Sequence, residues 1–228
     1  MLCLGRRKPV PFMRSWSQEE IRDALELYAV TDRAWLHGRS FEEVLAEVLG
    51  VGGVTCVQLR EKNAAPEERE TLALQAQALC AKAGIPFLID DDVELAARIG
   101  ADGVHIGQDD ISCEEARAIL GGDAIIGVTA KTLEQALVAE AAGADYLGVG
   151  AVFPTSTKQD TWTIDHEVLH QICAAVSIPV VAIGGITAKN ARELTGSGVA
   201  GIAVVSAIFA EEDLTDAVKR LAQIAETF

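Results

Sequence analysis

The chain lacks an excess of basic charge. Its 19 Lys and Arg residues face 34 Asp and Glu, a formal net charge of -15 at pH 7. That balance argues against a nucleic-acid partner or an anionic membrane surface, both of which need clustered cations. It leaves room for an anionic small ligand, because a pocket answers to its own donors rather than to the total. Paired-cysteine motifs are missing too. Cys3, Cys56, Cys80, Cys113 and Cys173 are scattered, with no CxxC. A dispersed, odd count favours reduced thiols and a cytoplasmic location. No apolar run approaches the ~20 residues of a membrane-spanning helix. Arg6, Arg7 and Lys8 lead into Pro9 and Pro11 rather than into an apolar segment, so no signal peptide is expected. The GxGxxG fingerprint of dinucleotide folds is also absent.

What the chain has is apolar residues, half of its 228, and they recur in one figure. Short apolar runs that end in polar residues occupy 25–32, 53–60, 86–90, 103–107, 125–129, 146–150, 179–184 and 201–206. Segments with helical periodicity lie between them, at 40–49, 66–83, 93–99, 113–120, 132–142, 166–175, 188–195 and 214–225. Several end on a glycine followed by a small or apolar residue, as at Gly84, Gly100, Gly143 and Gly198, which is a helix C-terminal signal. Runs apolar on both faces, alternating with helices, mean a parallel sheet. Eight such units predict a closed (β/α)8 TIM barrel. Ser17 with Glu20 three residues later resembles a capping box, so a short helix over 18–24 is expected. Residues 1–24 then form an N-terminal extension and 25–228 the barrel.

In such barrels the site gathers where strands end and βα-loops begin. There the chain offers Gln58, Arg60, Glu61 and Lys62 after the second run, and Asp90, Asp91 and Asp92 after the third. The fourth delivers His105, Gln108, Asp109 and Asp110, and the fifth Thr129. After the sixth come Thr155, Ser156, Thr157 and Lys158, whose hydroxyls, free amides and ammonium suit a phosphate. Gly184 and Gly185 close the seventh run, and Val205 and Ser206 the eighth, where backbone amides commonly hold phosphate in this fold. Carboxylates at the ends of neighbouring strands can face one another, and Asp91 with Asp110 is the pair expected to hold Mg2+ with substrate oxygens. One member of each acidic cluster is expected to cap the following helix. Two anion sites result. One has Arg60, Lys62, Lys158 and a metal, enough for a diphosphate. The other, of amides from strands seven and eight, suits a monophosphate. His105, between Val104 and Ile106, is expected to be a barrel-core residue rather than a base. Trp162, just past the Thr155–Lys158 stretch, is a candidate lid residue.

Gln58-Leu59-Arg60-Glu61-Lys62, Asp91, the stretch from Gly103 to Asp110, the stretch from Gly148 to Lys158, and Ile183 to Ile186 together resemble the thiamine-phosphate synthase family in order and spacing. The resemblance implies a barrel that joins hydroxymethylpyrimidine diphosphate to hydroxyethylthiazole phosphate, or its carboxylated form, and releases diphosphate with Mg2+. It implies that Gln58, Arg60 and Lys62 bind the pyrimidine diphosphate, within a substrate-binding set that also takes in Leu59, Glu61, Asp90 and Gly184. Asp91 and Asp110 would hold the metal, and Thr129 would contact the pyrimidine. Thr155, Ser156 and Thr157 would meet the thiazole phosphate with Gly185, Val205 and Ser206, and Lys158 the diphosphate. Lys158, Arg60 and Thr129 are the residues expected to carry the chemistry. Two positions depart from the family's pattern: Asp90 stands where Asn is usual, and Thr129 where Ser is usual. Thr keeps the hydroxyl, whereas Asp90 adds negative charge beside an anionic substrate. A thiazole tautomerase or a non-catalytic regulator on the same barrel is the alternative, and self-association is left open.

Overall fold

The computed structural model describes residues 15–36, 38–155 and 162–228. Each apolar run is too short to cover itself and is followed by a helix, so burial requires the runs to pair side by side with helices outside. The strands are β1 (Leu27–Val30), β2 (Cys56–Leu59), β3 (Phe87–Asp90), β4 (Gly103–Ile106), β5 (Ile125–Ala130), β6 (Tyr146–Val149), β7 (Val180–Ile183) and β8 (Gly201–Val204). They pair in parallel in sequence order, and β8 closes on β1. The helices are α1 (Gln18–Ala24), α2 (Phe41–Gly50), α3 (Pro66–Ala83), α4 (Val93–Ile99), α5 (Cys113–Leu120), α6 (Leu133–Ala141), α7 (His166–Ala175), α8 (Ser206–Phe209) and α9 (Leu214–Ala225). The barrel read from the sequence is the fold observed.

Alternation along each strand divides the interior into two cores. Leu27, Val57, Leu59, Phe87, Ile126, Leu147 and Ile202 face outward and are buried under the helices. Tyr28, Val30, Cys56, Leu88, Ile125, Tyr146, Val181 and Ala203 fill the barrel itself. Ile21 of α1 and Leu25 join this inner cluster, with Trp16 packed against it. The capping box expected at Ser17 and Glu20 is formed, with Ser17 N–H donating to Glu20 Oε2 at 2.8 Å. Gly84 and Gly100, at φ 74° and 68°, cap α3 and α4 in the left-handed conformation that glycine adopts without strain.

Three local expectations differ from the structure. The helix expected over 188–195 is a 3-10 turn, Ala191–Leu194. A short helix, α8, follows β8 where no periodic signal was read. Asp92 caps α4, accepting from Leu95 N–H at 2.9 Å, as one acidic residue there was expected to. The second acidic cluster caps nothing: α5 starts at Ser112 in a capping box with Glu115, because a hydroxyl directly before the helix reaches its free amides first.

Candidate functional site

A cavity opens at the C-terminal ends of the strands. Its lining includes Gln58, Arg60, Asp90, His105, Thr129, Thr155, Gly184, Gly185, Val205 and Ser206. Gln58, Asp90, His105 and Thr129 come from four successive strands and share the inner face, because Gln58 pairs with Leu88 and His105 with Gly127, each two residues before Asp90 and Thr129. Asp90 pairs with His105, and Thr129 with Gly148. Gln58 and His105 are buried polar groups, and burial of such groups costs stability unless each finds a partner.

The floor supplies those partners. Gln58 Nε2 donates to Tyr28 Oη at 2.7 Å, and Tyr28 Oη lies 3.1 Å from Tyr146 Oη. Tyr146 Oη is 2.9 Å from His105 Nδ1, and His105 Nε2 is 2.9 Å from Thr129 Oγ1. Full burial pushes both tyrosine hydroxyls well above their usual range, so they stay protonated. His105 is thus a core residue, as expected, and it also lines the cavity.

The rim carries charge of both signs. Lys62 Nζ lies 2.9 Å from Asp90 Oδ2 and also pairs with Asp91. Arg60 reaches toward Asp32 and Asp90, each at 3.9 Å. Asp91 has φ 60°, the one non-glycine residue with positive φ among the described residues. Such strain, of order 1–3 kcal/mol, gathers at functional sites. Burial, together with the charge of Asp90, pushes the Asp91 carboxyl up to about 6, against the pull of Lys62, and Asp110 is hydrogen-bonded to it. Asp110 Oδ2 also accepts from Gly107 N–H at 2.7 Å. Two adjoining acids, one of them reluctant to ionise, fit a cation held by two carboxylates. Among the described residues no cluster of three or more His, Cys, Asp or Glu could hold a metal. Further ligands would therefore come from substrate oxygens and water, the usual arrangement for Mg2+ at a phosphate site.

The opposite wall is backbone. Gly184 and Gly185 have φ 98° and 67°. A Cβ at Gly185 would lie 2.4 Å from Pro154 O and 2.6 Å from Phe153 O. The loop after β7 therefore lies directly against the loop after β6, and only a missing side chain allows it.

Not every expected site residue reaches the cavity. Leu59 faces outward into the helix-covered core. Glu61 turns aside to Arg33, Nε to Oε2 at 2.9 Å. Ser156, Thr157 and Lys158 lie outside the described residues. Lys131 and Val30 line the cavity without having been singled out. The signal for Lys131 was present: it follows Thr129 by two residues and so shares its face. Its ammonium sits 4.1 Å from the ring centroid of Trp162, which is exposed.

The family model of thiamine monophosphate synthase matches residues 27–208. The chain belongs to this family. A thiamine-phosphate synthase of Clostridium tetani is 46% identical over 195 residues, covering 86% of this chain and 93% of that protein. One of Ruminiclostridium cellulolyticum is 43% identical over 198 residues, covering 87% and 94%. The solved thiamine phosphate pyrophosphorylase of Pyrococcus furiosus superposes with a TM-score of 0.83 at 42% identity, covering 90% of this chain and 98% of that one. A 3-hexulose-6-phosphate synthase, at 16% identity and a TM-score of 0.64, shares the fold alone. In thiamine monophosphate synthase family terms, this chain spans nearly the whole length of these relatives.

Proposed function

We propose that this protein is a thiamine-phosphate synthase. It joins hydroxymethylpyrimidine diphosphate to hydroxyethylthiazole phosphate, or its carboxylated form, giving thiamine phosphate and diphosphate, and carbon dioxide as well when the carboxylated form is used. The observation that carries the reading is one cluster beside the cavity, in a chain of this family: Arg60 reaches toward Asp90, Lys62 pairs with Asp90 and Asp91, and Asp91 is hydrogen-bonded to Asp110. The absence of paired cysteines accords with a cytoplasmic home.

In this reading the bond between the pyrimidine methylene and the diphosphate breaks, and its electron pair leaves on the diphosphate oxygen. The thiazole nitrogen supplies the pair for the new carbon–nitrogen bond. No protein nucleophile is required; the chain orients two substrates and balances charge. Gln58, Arg60 and Lys62 bind the pyrimidine diphosphate, with Lys158 on its diphosphate group, and Thr129 contacts the pyrimidine. Thr155, Ser156 and Thr157, with the amides of Gly185, Val205 and Ser206, bind the thiazole phosphate. Asp91 and Asp110 would hold Mg2+, which when bound would supply positive charge against the departing diphosphate. Two cations already paired to carboxylates are a weak lure for a diphosphate, which is the physical reason a divalent ion belongs here.

The test mixes the protein with both substrates, with and without Mg2+, and follows diphosphate and thiamine phosphate together. Release of both products that needs both substrates and the metal is expected. Isomerisation of the thiazole alone, or binding of both ligands without product, would overturn the proposal.

A further inference from the structure

The hydrogen bonds across the barrel floor form one unbroken file, from Gln58 through Tyr28, Tyr146 and His105 to Thr129. The barrel makes room for it by omitting two side chains. A Cβ on Gly127 would sit 2.1 Å from Tyr146 Cζ, and one on Gly148 would sit 2.7 Å from His105 Cε1. Ring contacts fix the bodies of the same residues. The Tyr28 and Tyr146 centroids are 6.1 Å apart at 70°, an edge arrangement, and those of His105 and Tyr146 are 5.5 Å apart.

The direction of the file follows from proton counting. The Gln58 amide nitrogen can only donate, so Tyr28 Oη accepts there. Its own hydrogen then has Tyr146 Oη as its partner, the remaining contact of Tyr28 Oη among the described residues. Tyr146 Oη, having accepted, donates to His105 Nδ1. A neutral imidazole that accepts at Nδ1 carries its proton on Nε2, and Nε2–H donates to Thr129 Oγ1. Thr129 has then accepted, and its hydroxyl hydrogen is available to the cavity that it lines.

We propose that Tyr28, Tyr146 and His105 are positioning residues, which hold His105 neutral with its proton on Nε2 and make the Thr129 hydroxyl a hydrogen-bond donor toward a ring-nitrogen acceptor of the bound heterocycle. The identity of that ring as an aminopyrimidine rests on the function proposed above; the polarity of the file does not. Reversing the file, with Gln58 offering Oε1, would move the histidine proton to Nδ1 and turn Thr129 into an acceptor for an amino group. Two heterocycle edges are thus distinguished by one tautomer.

The experiment reads the tautomer first. Long-range proton–nitrogen correlation spectra of the 15N-labelled full chain report all four histidines, and the His105→Gln variant assigns the signal. The expected pattern is a protonated Nε2 and a bare Nδ1; a protonated Nδ1 overturns the proposal. Steady-state kinetics then use Tyr146→Phe, which removes one hydrogen bond and keeps the ring. KM for the pyrimidine diphosphate is expected to rise about tenfold with KM for the thiazole phosphate unchanged. Thr129→Val added to Tyr146→Phe is expected to cost little more, since both break the same contact. Equal rises in both KM values, or fully additive losses, would mark the file as merely structural and overturn it. If the wild-type protein releases no diphosphate, the functional reading falls, and the tautomer alone decides this inference.

Discussion

Lys62 Nζ lies 2.9 Å from Asp90 Oδ2 and shares the same ammonium with Asp91. The cation assigned to the diphosphate is therefore already matched by carboxylates before any substrate arrives. Asp90 is the position where the resemblance led one to expect asparagine.

Asp90→Asn removes one partly buried negative charge from the diphosphate side of the cavity and leaves Lys62 with one carboxylate partner in place of two. In the water-filled mouth of the site, where the effective dielectric approaches 80, a charge ~4 Å away contributes ~1 kcal/mol. KM for the pyrimidine diphosphate should fall about fivefold. Unchanged or weaker substrate binding, measured by calorimetry as well as kinetics, would show that Asp90 helps the site.

Asp91 combines strained backbone with a carboxyl pushed up to about 6. Asparagine tolerates positive φ nearly as well as aspartate, alanine does so poorly, and glycine does so freely. Asp91→Asn and Asp91→Gly are expected to melt at or above the wild-type temperature while losing about a hundredfold or more in turnover. Asp91→Ala should lose the same activity and about 1 kcal/mol of stability as well. Calorimetric melting beside the product assay separates the two effects, and wild-type turnover in Asp91→Asn would sink the metal assignment.

Gly127→Ala forces a methyl group to within 2.1 Å of the Tyr146 ring, with nowhere in the closed barrel for the ring to move. Overpacking of this kind costs about 3 kcal/mol, visible as a lower denaturant midpoint. Gly50→Ala, at a helical position with nothing within 4 Å, is the control; it should be neutral or mildly stabilising.

Gly185→Ala places a Cβ against Pro154 O at a backbone angle of 67°. The loops after β6 and β7 must separate to accept it. The expected consequence is a tenfold or greater rise in KM for the thiazole phosphate, with a smaller change for the pyrimidine substrate. The reverse ranking would place the phosphate elsewhere.

Burial raises the thiols of Cys80, to about 12, and Cys173, to about 11. Only the thiolate is nucleophilic, so alkylation at pH 8 should run about two-thousandfold slower at Cys80, and about two-hundredfold slower at Cys173, in the native protein than in denaturant. Peptide mass spectrometry after a timed iodoacetamide pulse reads each site separately. Rapid native labelling at Cys80 would contradict its burial.

The eight-fold alternation was written in the chain: apolar runs, glycine-ended helices and polar residues at each run's end require little beyond local physics. The location of the cavity followed, since βα-loops in a parallel barrel all leave from one face. The side on which a strand residue lies was harder to read. Both faces of these strands are apolar, so period-two alternation carries no polarity and Leu59 looked as available as Gln58. Closure of the barrel sent Leu59 under the helices and Gln58 to Tyr28. Partner choice was equally invisible, because Arg33 and Glu61, or Asp91 and Asp110, are distant in the chain and become neighbours only through strand register. The primary structure thus specified which groups stand at the strand ends; three-dimensional packing assigned their partners, because a side chain's hydrogen bonds depend on what the folded neighbours leave within 3 Å.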